Sequence, residues 1–82
     1  MVTVHREGGF RFAIYMDDHK PGHVHVLKDG EVIVNLAGPD GRPEVRDANG
    51  TTSSDIRKIV RIVKSRQAEF LTKWREMHGG NH

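Results

Sequence analysis

Three consecutive segments in which apolar side chains recur at every second position constrain this chain more than any other feature. Phe10, Phe12, Ile14 and Met16 alternate with Arg11, Ala13 and Tyr15; Val24 and Val26 alternate with His23, His25 and Leu27; Val32, Val34 and Leu36 enclose Ile33 and Asn35. A period of two turns successive side chains to opposite faces and marks a strand buried on one side. Between the segments stand Asp17-Asp18-His19-Lys20-Pro21 and Lys28-Asp29-Gly30, both rich in turn-forming residues, and Pro21 cannot donate to a ladder. The pattern predicts an antiparallel β-meander over residues 10–36.

Register follows from the same pattern, since a slip by one residue would send each apolar side chain to the wrong face. Met16 facing Gly22 across the first loop pairs Ile14 with Val24 and Phe12 with Val26, and leaves Tyr15 beside His23 and Ala13 beside His25. A Lys28-Asp29-Gly30 loop, with Gly30 left-handed beside a bulge, pairs Val26 with Val32 and Val24 with Val34. One face then carries Phe10, Phe12, Ile14, Val24, Val26, Val32, Val34 and Leu36, and the other Arg11, Tyr15, His23, His25 and Asn35.

Residues 38–52 are dense in Gly, Pro, Asp and Asn. They read as a loop, with Pro43 to Arg46 forming an edge strand at most. Thr52 and Ser53 are N-cap candidates, and Asp55, three residues after Thr52, completes a capping box. From there Ile56, Ile59, Val60, Val63, Phe70, Trp74 and Met77 recur at helical steps, until Gly79-Gly80 supplies a stop. This predicts one helix over 53–78, about 37 Å long, whose stripe covers the apolar sheet face with Phe70 and Trp74 in the core. Gly8-Gly9 supplies a tight turn before the first strand, and His78 and His82 fall at a frayed end. The predicted fold is α+β: a three- to four-stranded antiparallel β-meander packed on one long C-terminal helix, a single domain over residues 1–82.

A chain of 82 residues with a mean hydropathy of -0.61 holds no apolar run near the roughly 20 residues that cross a bilayer. Its first residues lack the charged and apolar regions of a secretion signal, so a cytoplasmic location is expected. Cysteine is absent, which excludes disulfides, thiolate metal sites and thiol nucleophiles. No G-x-S-x-G, H-E-x-x-H or phosphate-loop motif is present. Lys and Arg outnumber Asp and Glu by 13 to 11, and Arg57, Lys58, Arg61, Lys64, Arg66, Lys73 and Arg75 gather in the last third. A basic helix of this kind is either a solvated face or a surface for RNA or DNA.

Functional groups are densest between Asp17 and His25. His23 and His25, two apart on a strand, project from one face with Cα atoms about 6.5–7 Å apart. That is close enough to share a divalent ion such as Zn²⁺ or Ni²⁺ if Asp18 or His19 swings in as third ligand. A second reading makes His23 or His25 a general base in a metal-free ribonuclease site with Tyr15 and Arg11, because imidazole exchanges protons near neutrality and Arg holds phosphate. A third has Asp18 and His19 close a hairpin by hydrogen bonds. The same face also suits a protein partner or stacked bases.

Thr3, Val4, Arg6, Gly8, Gly9, Phe10, Phe12 and Tyr15, followed by Asp18, His19, Pro21, His23, Val24, His25 and Val26, and at the end Lys73, Trp74 and Glu76, form a pattern that resembles the bacterial domain-of-unknown-function family 4160. The D-H-x-P-x-H-V-H-V segment is its specific part, and Gly22 stands where many relatives carry Pro. The resemblance implies a small cytoplasmic protein, often encoded beside a second small protein, as in toxin–antitoxin modules. The expected role is that of one partner in such a module, acting by protein or nucleic-acid binding, alone or as a homodimer. It implies no established reaction and gives no verified catalytic residue.

Overall fold

The computed structural model describes residues 1–79; the expectations for Gly80 and His82 lie outside the described residues. Five strands form one antiparallel sheet in sequence order: β1 (Val2–Glu7), β2 (Phe10–Ile14), β3 (His23–Leu27), β4 (Glu31–Asn35) and β5 (Glu44–Asn49). Two helices follow, α1 (Ser53–Ser65) and α2 (Gln67–Met77). No described helix is long and apolar enough to cross a membrane.

The central registers are those that the alternation requires. Phe12 pairs with Val26 and Ala13 with His25, then Val26 with Val32 and Val24 with Val34. Phe10, Phe12, Ile14, Val24, Val26, Val32, Val34 and Leu36 are all buried, against Ile59, Ile62, Val63, Phe70 and Trp74 from the helices. Each such side chain contributes about 1.5–3 kcal/mol through removal from water. Phe12 and Phe70 meet with ring centroids 5.6 Å apart.

The sheet is wider than the three or four strands expected, because β1 precedes the meander. Gly8 and Gly9 form its hairpin turn at φ 62° and 83°, the left-handed pair that a two-residue hairpin needs. The β1–β2 register steps from Thr3↔Ala13 to His5↔Phe12, so Val4 is a bulge that breaks the period of two. The His5 ring consequently lies against Phe12 and Phe70, at 5.6 and 5.9 Å, in a place where the pattern demands an apolar residue. β2 is shorter than expected: it ends at Ile14, and Met16 is exposed in the turn beyond.

Gly30 closes the three-residue loop without a left-handed φ. A Cβ there would run into the Asn49 carbonyl oxygen, so close approach of the β5 end, rather than backbone handedness, requires glycine. The edge strand is real and longer than expected, Glu44–Asn49.

The single long helix is corrected to two. Thr52 Oγ1 accepts from Asp55 N at 3.1 Å, but the Asp55 carboxylate faces Lys28 Nζ at 3.8 Å and does not complete the box. At Arg66 the backbone leaves helical values (φ -117°, ψ 18°). Its N–H is shared between the Ile62 and Val63 carbonyls, and Ser65 Oγ also donates to Ile62 O. Arg66 binds Glu7 and Glu69, while Gln67 donates to the carbonyls of Leu36 and Gly41. These partners interrupt the helix at Arg66, and α2 sets Trp74 against the His23 ring at 5.1 Å. His78 is not frayed: it stacks on Trp74 at 3.7 Å and its Nδ1 donates to Trp74 O, and Gly79 ends the helix at φ 63°.

Candidate metal centre

The turn after β2 places a carboxylate over two strand histidines. The backbone reverses with Asp18 N bound to Tyr15 O, and Asp18 Oδ2 accepts from Tyr15 N, both at 3.2 Å. These two bonds fix the Asp18 side chain above the sheet face from which His23 and His25 project. Oδ2 then lies 3.3 Å from His23 Nε2 and 3.3 Å from His25 Nε2. The three ligand atoms lie within 4.8 Å of one another.

Each imidazole is held by its other nitrogen. His25 Nδ1 donates to Glu31 Oε2 at 2.9 Å, and His23 Nδ1 to the Pro21 carbonyl at 2.8 Å. Such bonds fix ring orientation and put the lone pair on Nε2, as in histidines that ligate metals. His23 is buried at 4% exposure, with the Trp74 ring at 5.1 Å and the His25 ring at 5.2 Å. Gly22 lies directly under the Trp74 ring, where a Cβ would come within 3.3 Å of it and the ring would have to shift by a few tenths of an ångström.

His25 Nε2 is buried yet makes no hydrogen bond, although Asp18 Oδ2 is near. The two observations agree once Nδ1 carries the proton, because a bare Nε2 has nothing to donate to the carboxylate. A buried acceptor without a donor costs about 1–3 kcal/mol, and His78 Nε2 is in the same state.

The other residues singled out in the sequence fall in different places. Tyr15 packs edge-on against His25, centroids 4.3 Å apart. His19 is exposed and is not among the grouped ligands. Arg11 pairs with Leu27 in the ladder, and among the described residues no hydrogen bond or ion pair joins it to the cluster. Arg57, Lys58, Arg61 and Lys64 are exposed along α1, whereas Arg66 is engaged with Glu7 and Glu69.

Two participants were not anticipated. Glu31 becomes visible once the register is set: His25 pairs with Ile33, and a residue two before Ile33 shares its face. Arg46 reaches the site from β5, its Nη2 3.2 Å from His23 Nδ1 and its Nε donating to Asn35 Oδ1 at 3.0 Å. Its approach depends on a bulge, since the β4–β5 register steps from Ile33↔Asp47 to Val34↔Val45 and leaves Arg46 as the extra residue, and this leaves no trace in periodicity.

No curated protein and no solved structure matches the chain. The family model for a domain of unknown function, DUF4160, matches residues 9–75, which takes in β2 through most of α2 and with them Asp18, His23, His25, Glu31 and Arg46. The chain therefore belongs to the DUF4160 family.

Proposed function

We propose that this protein binds one divalent transition-metal ion, of the Zn²⁺ or Ni²⁺ type, through Asp18 Oδ2, His23 Nε2 and His25 Nε2. The observation that carries this reading is the pair of equal 3.3 Å separations between Asp18 Oδ2 and the two Nε2 atoms. Ligand atoms about 2.0–2.1 Å from a tetrahedral ion stand about 3.3 Å from each other. A charge-assisted hydrogen bond between imidazolium and carboxylate closes instead to about 2.7–2.9 Å.

The donor set supports the same reading. Neutral imidazole suits first-row divalent ions, and one carboxylate supplies charge without excluding them. The Nδ1 bonds to Pro21 and Glu31 orient both rings. Three protein ligands leave a coordination position for an exogenous molecule, where a metal of this type lowers the pKa of bound water or polarises a bound oxygen.

Isothermal titration of the full chain with Zn²⁺ or Ni²⁺ tests the reading. The expected result is saturable binding near one ion per chain, lost in His23→Ala and His25→Ala. Binding should also weaken on acidification, because imidazole ligates only when unprotonated. Circular dichroism checks that the variants remain folded. Absence of saturable binding, or equal binding by a folded variant lacking both histidines, overturns it. So does RNA cleavage that needs His23 and His25 but survives a chelator, which would assign the imidazoles to proton transfer.

A further inference from the structure

We infer that the outer face of α1 docks double-stranded DNA, with Arg57, Lys58, Arg61 and Lys64 on its phosphate backbone. The inference is independent of the metal centre and rests on where the fold concentrates its charge.

Net charge is not spread evenly over this molecule. α1 carries four of the 13 Lys and Arg residues and, in Asp55, one of the 11 Asp and Glu residues. The chain outside α1 therefore holds nine cations against ten carboxylates, and the whole positive excess sits on one 13-residue helix. The lone carboxylate is engaged elsewhere, with Asp55 facing Lys28 at 3.8 Å. Arg42 meets Asp40, and Arg66 meets both Glu7 and Glu69. Among the described residues no carboxylate forms an ion pair with Arg57, Lys58, Arg61 or Lys64.

Like charges instead stand beside one another. Arg57 and Arg61 are four apart, and Arg61 is three from both Lys58 and Lys64. At these spacings helical side chains are neighbours, and equal charges oppose the helix. At about 100° per residue the four fall within about 120° of the helix circumference and about 10 Å of its length. All four are exposed. The opposite arc is committed to the core through Ile59, Ile62 and Val63. The fold thus presents a ridge of positive charge that no ion pair within the described chain neutralises, and a dense polyanion relieves its self-repulsion.

The ridge discriminates among polyanions. A membrane surface takes up a basic helix by burying the apolar side of that helix, and here the apolar side is spent in the core. Single strands are held largely by bases stacked on aromatic rings, and α1 contains no aromatic residue. Duplex DNA carries about one phosphate charge per 1.7 Å of axis, so about six lie along a ridge about 10 Å long. Its major groove, about 12 Å wide, admits a helix, whereas the major groove of duplex RNA is too narrow. Contacts to phosphate carry no base information, so the binding is indifferent to sequence.

Fluorescence anisotropy of short labelled DNA duplexes of unrelated sequence, titrated with the full chain in the presence of a chelator, tests the inference. The two duplexes should bind alike. Affinity should fall with salt at a log–log slope of about -3.6, from four contacts at about -0.9 each, or about a hundredfold between roughly 50 and 200 mM. Arg61→Gln should bring the slope to about -2.7, and the triple variant Arg57→Gln, Arg61→Gln, Lys64→Gln to about -0.9. Lys73→Gln removes the same charge from the exposed side of α2 and should leave the slope unchanged. Thermal melts of the free variants should match or exceed the parent, since the like charges oppose the helix; should the triple variant not fold, the single variants carry the slope test. Absence of duplex binding at low salt, a slope that Arg61→Gln leaves untouched, or an equal effect of Lys73→Gln overturns the inference. Tighter binding of single-stranded DNA, of duplex RNA or of anionic lipid vesicles overturns it as well, since each assigns the ridge to another partner.

Discussion

Glu31 and Pro21 orient the two imidazoles by different means, one with a carboxylate and the other with a backbone carbonyl. The difference makes only one of them removable. Glu31→Ala should weaken Zn²⁺ or Ni²⁺ binding by about tenfold or more while the fold persists, because loss of such an orienting group frees the ring and lowers its basicity. Metal titration beside a thermal melt checks this, and unchanged affinity would show that the Glu31 bond does not prepare His25 as a ligand. At this scale the sequence was informative where strand geometry alone decided. His23 and His25 share a face in any strand, and Asp18 lies one turn away. Arg46 was hidden because its placement depends on a bulge, and the bonds between Tyr15 and Asp18, which bring the Asp18 carboxylate and not the exposed His19 over the histidines, leave no sign in the sequence.

At the level of elements, the least legible features were those set by distant partners. The spacing from Val63 to Phe70 keeps both on one side of a continuous helix, so nothing in the apolar stripe announces a break at Arg66. The break follows from Gln67 reaching the carbonyls of Leu36 and Gly41 and from Arg66 reaching Glu7, contacts across the whole fold. β1 escaped for a related reason, since the bulge at Val4 puts His5 where alternation calls for an apolar side chain. Glu7 ties these two elements together. Its hydrogen bond from His5, reinforced by Arg66, holds its carboxyl below the usual carboxylate range despite the opposing effect of desolvation. A carboxyl with a lowered folded-state pKa stabilises the fold above its unfolded value of 4.5, and that contribution is lost as pH falls through the lower folded value. Denaturant melts of wild type and Glu7→Gln should therefore differ modestly at neutral pH, with the variant less stable, and converge in acid. A gap that persists in acid would trace to something other than the carboxylate. By contrast, the central strands, their registers and the core stripe were readable throughout, because one buried face leaves a single workable phase.

Considered whole, the molecule has one apolar layer between sheet and helices, and its stability is expected at about 4–12 kcal/mol for a chain of this length. Trp74 belongs to that layer on one side and walls the His23 ring on the other. Trp74→Ala should cost about 3–5 kcal/mol, and excess Zn²⁺ should recover part of the loss by binding only the folded chain. Thermal melts with and without metal measure both effects, and a variant that melts like the parent would remove Trp74 from the core. The bulges that shift Val4 in β1 and Arg46 in β5 lie on the two outer strands of the sheet, and there they have an effect unrelated to any ligand. A regular outer strand offers a straight row of free N–H and C=O groups onto which another chain can zip, the first step toward fibrils. A kink in each border strand, with Arg6 and Glu7 on one and Glu44, Arg46 and Asp47 on the other, interrupts that row on both sides. The irregularity that aims a guanidinium at His23 thus also guards a small, thin sheet against growing at its margins.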